Sequence, residues 1–351
     1  MNHPIVWKIF LAIALPLIVI AALTFFLKKT GKSIWKDPTF DKKTFISRKP
    51  GNVSPLRSGP APGYSVNYTP SAAISLNGAH DLIIAGKSIA GGSGPAISLY
   101  NCSHIRITRN KLFNSSGEGI HLYNCAYITI DDNYFTNVST GVYAEQSVKG
   151  GIAVDHNQFL NMQGPYPRGQ CVQFNSIGGH SNLICFNRCE NVLGKSNPED
   201  AISLYKSKGT AESPIIIKGN WIRGGGPSRS GGGIMLGDNG GGYQTAEENT
   251  LVNPGQYGIA ISGGDHNAII NNSIYARSQP FTNVGIYVAG YNGSVCTYST
   301  VGGNRVRYFD HNQHQNNAWI GPGASTPAGW ETNSWGANIG PDILPRTFIK
   351  N

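Results

Sequence analysis

The sequence predicts an all-β chain, a solenoid of about eight full parallel coils behind an N-terminal transmembrane helix, and three observations carry that expectation. Short runs that open on a small residue and continue with alternating apolar positions recur from Ala96 to about Arg307. An Asn that follows an apolar β run recurs with the same count. The composition, with 45 Gly, 20 Pro and only 13% charged residues, describes many tight turns and little charged helix.

The first element is apolar. Residues 5–27 are interrupted only by Lys8, Pro16 and Thr24, long enough to cross a bilayer, which needs roughly 20 residues. Apolar Leu23, Phe25, Phe26 and Leu27 follow the small Ala21 and Ala22, which favours an uncleaved signal anchor (1–27) over a cleaved peptide. The net charge of +9 sits mostly beside it. Residues 1–49 hold nine Lys/Arg against Asp37 and Asp41, a balance of +7, whereas 50–351 hold 19 basic and 17 acidic groups, a balance of +2. A nearly neutral folded part gives no reason to expect a nucleic-acid partner. The positive-inside rule read alone would put the repeats in the cytoplasm.

Residues 28–72 are Lys-rich, then rich in Pro, Gly and Ser, and read as a linker with a possible N-terminal cap. The repeat domain, 73–307, comes next. Its strand starts are Ala96, Gly119, Gly141, Cys171, Ala201, Gly233, Gly258 and Gly285, spaced by 23, 22, 30, 30, 32, 25 and 27 residues. The Asn series is Asn110, Asn133, Asn157, Asn187, Asn220, Asn249, Asn272 and Asn304, and Ile74 to Ile89 fits the frame as an incomplete earlier coil. No coil can bury its apolar side alone, so neighbours must stack into a continuous core. Leucine is too sparse for leucine-rich repeats, and Gly and Asn are too abundant for helical ones. Inward Asn side chains at a turn satisfy buried backbone groups, a structural role. Residues 308–351, with Trp319, Trp330 and Trp335 among Gly and Pro, are expected to cap the open end.

On these residues the chain resembles the pectin-lyase-like superfamily of right-handed parallel β-helix proteins over about 74–307. The resemblance implies export of the β-helix to the periplasm or exterior, with the membrane as partner through the anchor, and it does not imply an activity. Gly179-His180-Ser181 and Asp131-Asp132-Asn133 only look similar to motifs of the polygalacturonase-like members, and the Asp-Pro-His-Asp motif of alginate epimerases is absent. Asp-His-Asn recurs at Asp155, Asp265 and Asp310, but at positions that are not equivalent in the coil.

Side chains alternate along each first strand, so its third and fifth positions face outward. The third column reads Ser98, His121, Tyr143, Gln173, Ser203, Met235, Ala260 and Tyr287, and the fifth reads Tyr100, Tyr123, Glu145, Asn175, Tyr205, Gly237, Ser262 and Ala289. Aromatic and polar residues on one face suit sugar rings. Tyr100, His121, Tyr123, Tyr143, Glu145, Gln173 and Tyr205 are therefore the candidate substrate-binding residues, and a polysaccharide the expected partner.

From each ladder Asn to the next strand start the distances are 9, 8, 14, 14, 13, 9 and 13, so insertions at 161–170, 190–200 and 222–232 fall at one turn of consecutive coils. They are expected to form a wall beside that face, carrying Arg168, Lys195, Glu199, Asp200, Arg223 and Arg229, with Lys206, Lys208 and Asp238 past the strands on the other side. A lyase needs a base such as Lys206, Tyr205, Arg168 or His121, and a cation, Ca²⁺ among the choices, to stabilise the anion. A glycoside hydrolase needs paired carboxyls, for which Glu145, Asp200 and Asp238 are available. Lys206, Arg168, Asp200 and Asp238 are the catalytic candidates, with a cell-envelope lyase placed ahead of a hydrolase and a non-catalytic glycan-binding solenoid as the alternative. Cys102 and Cys125 fall one coil apart and would form a disulfide or, in preference, a stack of thiols. Cys185 and Cys189 lack the further pair a zinc site requires.

Overall fold

The computed structural model describes residues 67–349, so the anchor at 5–27 and nearly all of the linker lie outside the described residues. Within them no helix is long and apolar enough to cross a membrane, and the helical content is two 3-10 turns, Trp330–Thr332 and Pro341–Ile343. The strands form three long sheets of ten, nine and eleven strands whose pairings are all parallel. Each coil contributes one strand to each sheet in turn: Ile97–Tyr100 to sheet 1, Ser103–Thr108 to sheet 2, Lys111–Ser115 to sheet 3. The eight starts read from the sequence all open strands of sheet 1. The earlier coil expected at Ile74 to Ile89 supplies Ile74–Asn77 before them, and Ala318–Ile320 follows them.

The small residue at each start has a steric cause. A Cβ on Gly119 would lie 2.5 Å from the Phe135 ring, and one on Gly141 would lie 2.4 Å from Phe159. These rings, stacked at 4.6 Å, belong to an inward column of sheet 3 that continues Phe135, Phe159, Cys189, Ile222, Leu251, Ile274, Val306. In the fourth coil Cys189 takes the ring's place and Cys171 the glycine's, and the two are joined as a disulfide. Phe-on-Gly packing is thus replaced there by a covalent bond. Cys102 and Cys125 are free, buried thiols bonded to carbonyls of their own and the preceding coil. The stack of thiols is the arrangement found.

The Asn series stands at the turn between sheets 2 and 3. Each Asn gives its backbone N–H and its Nδ2–H to the Oδ1 of the next, as from Asn187 to Asn220 at 3.0 Å, and its Nδ2 also reaches a strand carbonyl of the preceding coil. All eight are buried, and Asn333 adds a ninth rung. The tail does two things. Trp330 and Trp335, 4.8 Å apart, pack on the end of the core. Residues 339–349 then run back along the outside of sheet 3, where Phe348 meets Trp221 and lies 4.6 Å under the Arg223 guanidinium. Arg188 Nη1 donates to the Phe348 carbonyl at 2.8 Å, and Tyr134, Val252, Leu344, Phe348 and Ile349 bury together.

Candidate functional site

The outward face of sheet 1 and the loops that lead into it build the site. The insertions stack as expected: Asn197 N–H donates to the Met162 carbonyl at 2.9 Å, and Ser230 Oγ donates to Glu199. A Cβ on Gly169 would lie 2.6 Å from Glu199 N, so glycine there lets adjacent loops touch. The registers match the third column as read, Ser98, His121, Tyr143, Gln173, Ser203, Met235, Ala260, Tyr287. Exposure differs. Tyr143, Gln173 and Ser203 point outward but are only 3%, 8% and 1% exposed, because the loops fold over the middle rungs.

One cluster centres on the third and fourth coils. The Arg168 guanidinium lies 3.8 Å over the Tyr143 ring, donates to Gln173 Oε1 at 3.2 Å, and pairs with Glu118 at 3.5 Å. The Tyr143 hydroxyl donates to Glu145 at 2.9 Å and accepts from Asn175 at 2.8 Å, while His121 Nε2 meets the other Glu145 oxygen at 2.9 Å. Burial raises the Tyr143 phenol above its ordinary value. Tyr100 packs edge-on against His121, and Tyr123, 42% exposed, leans on Tyr100. The sequence reading missed Glu118, although it sits directly before the small residue of its coil, in the position Asp200 holds three coils on.

The second cluster carries the acids. Asp200 is 7% exposed, and its Oδ1 accepts from the Gly232 N–H at 3.0 Å and from the Tyr257 hydroxyl. Burial pushes its carboxyl up to about 7, against the opposing pull of those two bonds. Asp238 reaches the same face by an irregularity. Met235 pairs with Ser203, yet Asp238 rather than Gly237 pairs with Tyr205, so one extra residue is accommodated between them. Gly237 makes that bulge, with φ 64° and no room for a Cβ, which would lie 1.9 Å from the Gly263 carbonyl oxygen. The sequence reading put Gly237 in the fifth column because it counted an unbroken strand. Burial raises the Asp238 carboxyl too, and its charge also raises Asp200. Tyr287, beside Tyr257 at 5.2 Å, is raised by burial first and then by both aspartates.

The four catalytic candidates are only partly brought together. Asp200 leads into the strand whose far end, Tyr205, pairs with Asp238, so the two acids share one face at opposite ends of the strand, and Arg168 belongs to the other cluster. Lys206 follows Tyr205 at a left-handed turn, φ 49°, in line with Asn101, Asn124, Gln146, Ser176 and Asn239. It is exposed, and its ammonium lies 5.3 Å from the Tyr205 ring without pairing to a carboxylate among the described residues. The Tyr205 hydroxyl accepts from Asn239 at 3.0 Å. Arg223, expected in the wall, points to sheet 3, where it pairs with Glu190 and holds tail carbonyls. Among the described residues no group of three His, Cys, Asp or Glu could hold a metal ion.

Residues 63–159 match the family model described as a right handed beta helix region. No curated protein matches the sequence. The catalytic domain of a GH87 alpha-1,3-glucanase in complex with nigerose superposes with TM-score 0.50 at 15% identity, covering 74% of this chain and 50% of that one. A substituted GH87 catalytic domain with tetrasaccharides gives 0.49 at 14%, covering 73% and 50%, and the Dettilon tailspike protein gives 0.32 at 14%, covering 71% and 62%. The chain spans about half the length of the glucanase structures, and the likeness is one of fold alone. Over its described residues the chain is a right-handed parallel β-helix, the fold of the matched family model and of the glucanase catalytic domain.

Proposed function

We propose that this protein is a cell-envelope glycoside hydrolase that cleaves a polysaccharide laid along the outer face of sheet 1. The observation that carries the reading is Asp238, a desolvated carboxyl with no hydrogen-bond partner among the described residues, brought by a glycine bulge to the face that holds Asp200. Glycoside hydrolysis needs one carboxyl that keeps its proton near neutral pH and a second that takes a proton from water or attacks the sugar. Asp200, whose carboxyl burial raises to about 7, is the donor to the leaving oxygen. Asp238, on the more open column, is its counterpart.

The Arg168, Tyr143, Glu145 and His121 cluster then positions sugar units, with Tyr100, Tyr123 and Tyr205 as the accessible rings. Lyase chemistry is the second reading, favoured by an arginine lying over a tyrosine. Two observations weigh against it: burial raises the Tyr143 phenol, the opposite of what a tyrosine base needs, and Lys206 sits outside the acid cluster. The disulfide Cys171–Cys189 suits an oxidising compartment and supports export. Incubation with a panel of neutral and uronate polysaccharides tests the reading. Reducing ends without unsaturated products are expected, whereas unsaturated products would transfer the assignment to the lyase.

A further inference from the structure

A surface pocket of about 280 Å³ lies away from the acids, lined by Asn101, Ser103, His104, Asn124, Tyr127 and Lys149 among others. It stands at the turn between sheets 1 and 2. Four observations make it a place for a ligand. His104 and Tyr127 occupy one column at left-handed turn positions, so their rings project from the turn and stack at 4.8 Å. The column's next residue is Gly151, where a Cβ would lie 2.6 Å from the Tyr127 ring, so no side chain covers that ring from the following coil. Tyr127 is 52% exposed as a result. Beside it runs an amide chain in which Asn124 Nδ2 donates to Asn101 Oδ1 at 2.8 Å and Asn101 Nδ2 to Asn77 Oδ1 at 3.0 Å, leaving Asn124 Oδ1 unengaged among the described residues.

The chemistry is an aromatic platform, a free amide acceptor and one ammonium, Lys149, in a pocket sized for a single ring. The column's carboxylate, Asp81, is paired with His80 one coil before His104. We propose that this pocket is a second glycan-binding site, taking one acidic sugar unit with its ring on Tyr127, a hydroxyl on Asn124 and its carboxylate on Lys149. It is four coils from Asp238, roughly 19 Å at the spacing of parallel strands, so a sugar held there is clear of the acids. The proposal is independent of the hydrolase reading.

Titration calorimetry with trigalacturonate and with maltotriose as probes tests it, on the protein as it stands and on Asp238→Asn. Tyr127→Ala is expected to weaken trigalacturonate binding about fivefold or more in both backgrounds. Lys149→Ala is expected to bring trigalacturonate down to the affinity of maltotriose, with an unchanged melting temperature, since both side chains are exposed. Binding of trigalacturonate unaltered by Tyr127→Ala, or absent from the unsubstituted protein, would overturn the proposal. Loss of trigalacturonate binding in Asp238→Asn itself, with Tyr127→Ala without effect, would overturn the proposal and place the sugar at the acids.

Discussion

Asp238 faces Tyr205 across sheet 1, in a position that an unbroken strand would have given to Gly237. The exchange depends on one residue in the left-handed region. Gly237→Ala puts a Cβ where the Gly263 carbonyl stands and a side chain at φ 64°. Straightening the bulge would return Asp238 to the turn, so glycan cleavage is expected to fall at least about tenfold with a stability loss on the order of 1–3 kcal/mol. Activity assays beside urea unfolding check it. Loss of stability with full activity would show that the bulge does not place the acid.

Asp200 couples the site to pH. An unfolded aspartate titrates near 3.9, roughly, while the buried one is raised to about 7. Between those values the folded state binds the extra proton. Its contribution is therefore greatest at or below about pH 4 and is lost as pH rises to about 7. Asp200→Asn keeps an oxygen to accept from Gly232 and Tyr257 and removes the titration. Melting temperatures across that window are expected to fall less steeply in Asp200→Asn, and parallel slopes would contradict the burial argument.

The Cys171–Cys189 bond closes one coil, over a sequence separation of 18. Reduction is expected to cost about 2–4 kcal/mol, read as a lowered urea midpoint in dithiothreitol. A sharper check uses the packing it replaces. Cys171→Gly with Cys189→Phe recreates the neighbouring pair Gly141 and Phe159, and is expected to recover more stability than Cys171→Ser with Cys189→Ser.

Asn220 accepts the Asn187 backbone N–H and Nδ2–H and donates to the Ile184 carbonyl, all buried. Asn220→Ala strands those partners without water. A loss of about 3 kcal/mol or more is expected in denaturant unfolding, with sugar binding at Tyr127 unchanged.

The solenoid was legible because its periodicity has physical causes that act on residue type. Phe135 and Phe159 demand glycine at Gly119 and Gly141, and the turn between sheets 2 and 3 demands an amide in every coil. The candidate site was legible only where it follows that register, as in the pairing of His121, Tyr143 and Gln173. It was not legible where geometry departs from counting. The bulge at Gly237 moved Asp238 into the face, and Glu118 gained its place through Arg168, which reaches it from a loop two coils away. The path of the tail was equally hidden, since nothing in its Pro- and Gly-rich sequence says that Phe348 returns to Trp221.

On the hydrolase reading, Asp200 and Asp238 act together on a glycan. Release of reducing ends by Asp238→Asn, by Asp200→Asn and by the double substitution, on whichever polysaccharide the unsubstituted protein cleaves, tests it most directly. Each single substitution is expected to lower turnover by about 100-fold or more, and the double by little beyond the worse single, because the two residues work as one unit. Full turnover by Asp238→Asn would contradict the account.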